Sequence, residues 1–95
     1  MLIKEGVLGM GRLHTSMRKV KKVVTKVWQP EEPIITSAME GNHSAGSFHY
    51  IGRALDFRIP STMFSHRMKT LREKLGENYD VVVEQTHIHI EYDPK

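Results

Sequence analysis

Residues 47–56 read S-F-H-Y-I-G-R-A-L-D, and residues 84–89 read E-Q-T-H-I-H. The first stretch sets Asp56 seven positions after His49, and the second sets His87 and His89 two apart. A hydrolytic zinc site needs three nitrogen or oxygen ligands and one position open to water. His49, Asp56 and one of His87 or His89 would supply that set. The chain has no cysteine, so any metal must be held by imidazole and carboxylate. In a strand, residues two apart project to the same face, so one histidine of H-I-H can bind metal while the other stands beside a bound water. Gly52, between His49 and Asp56, lets the backbone turn tightly enough for a loop histidine to converge with a strand aspartate.

Each residue taken alone has a plainer explanation. With six histidines in 95 residues, some spacings arise by coincidence. His14 and His66 fall on expected helices and read as ordinary surface or interface histidines. His43 alone is a loop histidine, H-I-H alone could be two exposed positions around a buried Ile88, and Asp56 alone could be a cap or a salt-bridge partner. It is their joint occurrence that points to a metal.

The elements that must position these residues are legible from periodicity. Leu13, Met17, Val20, Val24 and Val27 step by four and three, which predicts one face of a helix stopped by Pro30 and Pro33. Residues 33–37 form a short β-branched run that suits a strand, and residues 38–47 are loop-like in Gly, Asn, Ser and His. A second strand is expected over residues 53–59, carrying Asp56 and ending at Pro60. Phe64, Met68, Leu71 and Leu75 then predict a helix capped by Ser61 or Thr62 and stopped at Gly76. Residues 81–83 and 88–92 read as two strands of a hairpin whose connection includes Gln85 and Thr86. The expectation is one α+β domain with two helices packed on a small antiparallel sheet, spanning residues 1–95.

Composition bounds the function. The hydrophobic share of 39% and charged share of 26% are ordinary for a globular chain. The net charge of +3 comes largely from Arg18, Lys19, Lys21, Lys22 and Lys26, which read as a solvated helix face. No stacking aromatics interleave with them, so nucleic acid is not an expected partner. The first ten residues lack the apolar run of a signal peptide, and no stretch has the length of a membrane span, so a cytoplasmic product is expected.

The stretch Ser47-x-His49-x-x-Gly52-x-Ala54-x-Asp56, followed by His87-x-His89, resembles the zinc-binding signature of the D-alanyl-D-alanine carboxypeptidase and endopeptidase family, whose fold is shared by the hedgehog signalling domain. The likeness to hedgehog domains extends over Gly41-Asn42-His43-Ser44, His49-Tyr50, Gly52-Arg53-Ala54 and Asp56. Small phage and prophage members are similar in length and layout. The resemblance covers roughly residues 34–93. It implies one zinc ion held by His49, Asp56 and His89, with His87 as the auxiliary histidine near the oxyanion and Glu84 as general acid and base. It also implies His43 at the rim of the site, Ser47 binding backbone or a substrate carboxylate, and Arg53 as a substrate anchor or a solvated charge.

The acid departs from the family's spacing. Glu84 lies five residues before His89 and three before His87. Either residues 84–86 bring the carboxylate inward, or His87 is the ligand and His89 the auxiliary. Parity counted along a single strand sets Glu84 opposite to His87 and His89, so its role requires a bulge or turn within Glu84-Gln85-Thr86.

The activity so implied is zinc-dependent hydrolysis of a peptidoglycan stem-peptide amide bond involving a D-amino acid, of the D,D-carboxypeptidase or L,D-endopeptidase type. The expected protein is a monomer that acts on the cell wall once lysis releases it, as a phage or prophage lysin or a virion component. The competing expectation is a non-catalytic zinc-containing binding module of the same fold.

Overall fold

The structure, a computed structural model, describes residues 1–38 and 52–94. His43, Ser47 and His49 lie outside the described residues. The chain forms β1 (Leu2–Ile3), a single 3-10 turn (Met10–Arg12), α1 (Ser16–Trp28), β2 (Ile34–Ser37), β3 (Ala54–Arg58), α2 (Phe64–Leu75), β4 (Tyr79–Val83) and β5 (His87–Tyr92). The class is α+β, with two helices and a five-stranded sheet in the order β1-β2-β3-β5-β4.

The sheet is mixed rather than antiparallel, which corrects the sequence expectation. Leu2 and Ile3 pair in parallel with Ile34 and Ile35, while the other neighbouring strands are antiparallel. Parallel neighbours need a crossover, and α1 supplies it by returning the chain to the same end of the sheet. A two-residue strand has no periodicity of its own, so its pairing is not visible in sequence.

One face of α1 buries Met17, Val20, Val24 and Trp28, and one face of α2 buries Met68, Leu71 and Leu75. These meet Ile35, Leu55, Phe57, Ile88 and Ile90, all at 0% exposure, on one side of the sheet. Each such Leu, Ile or Phe side chain contributes about 1.5–3 kcal/mol of transfer free energy. The α1 face sits slightly round from the expected one, because the helix begins at Ser16 and Trp28, larger than Val27, takes the last buried position.

Polar contacts set the helices on the sheet. The Lys19 ammonium donates to the Leu75 carbonyl at 3.1 Å, and Arg72 donates to the Val81 carbonyl at 3.1 Å. Arg67, 4% exposed, pairs with Glu31 at 2.7 Å. Glu31 also accepts the backbone N–H of Ser61 at 3.0 Å and its hydroxyl at 3.1 Å. Ser61 is therefore occupied away from the helix end. The residue before α2 is Met63, in the left-handed region at φ 53°, and no side chain caps the helix.

Candidate metal and catalytic site

Because Leu55 and Phe57 of β3 and Ile88 and Ile90 of β5 point into the core, alternation turns Asp56, His87 and His89 to the other side of the sheet. Pairing then fixes which of these meet. Asp56 is directly opposite His89, Arg58 opposite His87, and Ala54 opposite Glu91. On the other flank of β5, Val82 is opposite His89 and Asp80 opposite Glu91. Residues directly opposed in an antiparallel pair share a face. The surface away from the helices thus carries three rows: Arg58, His87 and Glu84; Asp56, His89 and Val82; Ala54, Glu91 and Asp80.

Glu84 enters the first row through the hairpin. Its N–H donates to the His87 carbonyl at 2.9 Å, continuing the ladder that pairs Val83 with Ile88. Gln85 and Thr86 form the turn. Reversal of the chain there, with no bulge, brings Glu84 opposite His87 and onto the same face as His89. Single-strand parity fails at this point because the chain changes strands between the two residues.

Asp56 is the hub of the cluster and is 7% exposed. His89 Nδ1 lies 2.8 Å from Asp56 Oδ1, and His89 Nε2 lies 2.8 Å from Glu91 Oε1. His87 Nε2 lies 3.6 Å from Asp56 Oδ2, beyond hydrogen-bond range, while its Nδ1 meets the Thr86 hydroxyl at 3.1 Å. The hydrogen bond to Asp56 holds the His89 imidazole above its ordinary pKa, against the opposing effect of burial and with the help of Glu91.

A neutral imidazole has one N–H to donate, whereas His89 has a carboxylate oxygen at each ring nitrogen. That environment suits an imidazolium. It equally suits a cation shared between Nδ1 and Asp56, with Glu91 holding the remaining N–H as an outer carboxylate does for a metal-bound histidine. Ligands about 2.0–2.2 Å from a tetrahedral zinc ion stand roughly 3.3–3.5 Å from one another. The 2.8 Å contact of His89 with Asp56 is at hydrogen-bond distance and shorter than that spacing, and the 3.6 Å separation of His87 is close to it, so what these residues share with a zinc site is their donor types, imidazole nitrogen and carboxylate oxygen.

A second group lies on the same face. Asp80, Glu91 and Asp93 place one carboxylate oxygen each within 4.8 Å of one another and could hold a metal ion. An all-oxygen set suits a hard cation better than zinc. The sequence does not announce this group, because Asp80 lies on β4, Glu91 on β5 and Asp93 just past it, and they meet only through the hairpin register.

Two further residues have structural partners. Arg53 lies over the Tyr92 ring at 5.9 Å, packed rather than freely solvated. His14 bonds Ser16 at 2.8 Å and stacks on Tyr92 at 5.8 Å, so it secures the start of α1, whereas His66 is exposed. Gly52 adopts φ +72°, and its carbonyl accepts the His14 N–H at 2.8 Å. A Cβ there would stand 2.8 Å from the Arg12 carbonyl oxygen, so this approach to β3 admits only glycine.

Compared with known proteins, the chain matches no family model, and no curated protein sequence matches it significantly. Among the described residues, no helix is long and apolar enough to cross a membrane.

Proposed function

We propose that the protein is a zinc-dependent peptidase of the hedgehog/DD-peptidase-like fold, hydrolysing an amide bond beside a D-amino acid in a peptidoglycan stem peptide. The observation that carries this reading is Asp56 flanked by His87 and His89, with Glu91 behind His89 and Glu84 opposite His87 on one face of the sheet. Asp56 and His89, together with His49, would hold the ion. Bound there, zinc supplies Lewis acidity that acidifies a water molecule and polarises the scissile carbonyl. Glu84 accepts the proton of the attacking water and delivers it to the departing amine. His87 donates a hydrogen bond to the carbonyl oxygen as it gains negative charge. The substrate class follows from the resemblance in sequence, and the chemistry from the residue types.

A second reading, a zinc-containing binding module, is favoured by one observation: Glu84 is exposed at the mouth of a turn and not held in position by packing. Metal analysis combined with digestion of purified peptidoglycan separates the two. One zinc per chain with new peptide ends supports the peptidase. Zinc without new ends supports the binding module, and absence of zinc removes both.

A further inference from the structure

The outer side of α1 carries a charge pattern that the fold does not use. Arg18, Lys19, Lys21, Lys22 and Lys26 lie on this helix, and no acidic residue does. Lys19 is committed inward: its ammonium donates to the Leu75 carbonyl and stands over the Tyr79 ring. Arg18, Lys21, Lys22 and Lys26 make no ion pair or side-chain hydrogen bond with the described residues. Arg18, Lys22 and Lys26 step by four, so they stand in a line about 6 Å apart along the helix axis. Like charges at that spacing repel one another, and Arg18 in the first turn also opposes the helix dipole. The pattern weakens α1 on its own, and an anion laid along it removes the repulsion.

The surface beside that line is concave. Met1, Lys21, Lys22, Thr25, Lys26 and Gln29 line one hollow, and Arg18 and Lys21 line a second with Met10 and Gly11. Lys21 belongs to both, so the two join into one groove between α1 and the N-terminal segment. No carboxylate lines it, and Glu32, which lies beside Met1, is already paired with the Met1 ammonium. No Trp, Tyr or Phe lines it either, so a nucleic-acid base finds no ring to stack on. The exposed positions of α1 are Arg18, Lys19, Lys22 and Lys26, all cationic, so the helix offers nothing apolar for burial in a bilayer. Between the cations stand neutral groups. The Thr25 hydroxyl donates to the Lys21 carbonyl at 2.8 Å and keeps its lone pairs to accept, and the Gln29 amide can both donate and accept.

We propose that this groove binds a linear polyol-phosphate chain. Its phosphates pair with Arg18, Lys21, Lys22 and Lys26, and the hydroxyls of its polyol units bond with Thr25 and Gln29. The groove lies on the helix side of the sheet, whereas Asp56, His87 and His89 lie on the other, so a polymer held here leaves that face open. Binding at α1 needs neither the metal nor the peptidase chemistry.

The test uses the full chain and a fluorescent glycerol-phosphate oligomer, with binding read by anisotropy across a salt series and by NMR shifts of the α1 amides. Wild-type affinity should fall linearly with salt on logarithmic axes, with a slope near −3, about −0.7 for each of four phosphates neutralised. Saturating oligomer should also raise the melting temperature, because it binds the folded helix. Lys22→Gln combined with Lys26→Gln should reduce the slope by about 1.4 and the affinity at about 0.1 M salt by roughly twentyfold. Both side chains are exposed and repel each other, so this double variant should melt no lower than the wild-type protein. Lys69→Gln combined with Lys74→Gln removes the same charge from the exposed side of α2 and should change binding by no more than about twofold. Absence of binding by the wild-type protein overturns the proposal. An equal loss in both double variants also overturns it, because attraction by net charge would then suffice. Tighter binding of a single-stranded DNA oligomer with the same number of phosphates, or binding to anionic phospholipid vesicles at salt that releases the oligomer, assigns the face to nucleic acid or membrane and overturns it as well.

Discussion

Glu84 and His87 face each other across a two-residue turn, joined by a 2.9 Å hydrogen bond from the Glu84 N–H to the His87 carbonyl. The turn sets a carboxylate beside an imidazole at the exposed end of the site face, next to the row that holds Asp56 and His89. Glu84→Gln keeps the shape and removes the basicity. Hydrolysis by this variant should fall by about 10²–10⁴-fold with zinc content unchanged. Wild-type turnover in Glu84→Gln would move the acid–base role to another group.

The two histidines of H-I-H should separate in their effects. His89, within 2.8 Å of Asp56, is the expected ligand, so His89→Ala and Asp56→Ala should each lose the metal. His87, at 3.6 Å, should be dispensable for metal and needed for turnover. Elemental analysis of the three purified variants checks this, and the reverse pattern would make His87 the ligand.

Glu91 should act through His89. Its carboxylate accepts from Nε2 and so fixes which ring nitrogen is presented to Asp56. Glu91→Ala should weaken zinc binding by about 10–100-fold in a chelator competition, the usual effect of losing an outer partner of a metal-bound histidine. Unchanged affinity would mean that Asp56 alone orients the ring.

Gly52→Ala should destabilise the fold. The left-handed backbone costs a non-glycine residue about 1–2 kcal/mol, and the new methyl group would crowd the Arg12 carbonyl at 2.8 Å. A loss of about 2 kcal/mol or more in chemical denaturation is expected, whereas Gly76→Ala, with nothing within 4 Å, should cost only the conformational part.

Acid should weaken the link between the two helices. Burial tends to raise the Glu31 pKa, but the hydrogen bonds from Arg67 and Ser61 outweigh it and hold the carboxyl below its ordinary value of 4.5. A folded pKa below the unfolded one contributes stability that is present above the unfolded value and lost as pH falls through the folded one. Stability measured by urea denaturation should therefore decline below about pH 4.5, and Glu31→Gln should flatten part of that decline.

Helices and main strands were legible because their buried residues recur at fixed intervals: Met17, Val20 and Val24 on α1, Met68, Leu71 and Leu75 on α2. Asp56 and H-I-H were legible as a set because residue type and parity survive in a linear string. Relationships between strands were not. The opposition of Glu84 to His87, of Arg58 to His87 and of Asp80 to Glu91 depends on the register of pairing, which the turn at Gln85 and Thr86 sets. Across the hairpin, paired positions sum to a constant, as Val83 with Ile88 and Glu84 with His87 do, and it is this sum, not parity along one strand, that sets the side of Glu84. Parallel pairing of Leu2 and Ile3 left no such trace, since two residues carry no pattern. The cap expected from Ser61 or Thr62 failed for a different reason: α2 starts only at Phe64, which leaves Met63 in the capping position, while the Ser61 N–H and hydroxyl donate to Glu31, thirty positions earlier in the chain.

The alternation along β5 has an evolutionary consequence. Ile88 and Ile90 fill the core while His87, His89 and Glu91 line the opposite face beside Asp56, all within six consecutive residues. Substitutions on either side can be accepted one at a time. A single-residue insertion or deletion inside the strand cannot, because a slip of one position sends imidazoles into the hydrocarbon interior and isoleucines to the polar face together. Lineages descending from this chain should vary in letters along β5 but never in length, and should accumulate their gaps in the connections on either side of it.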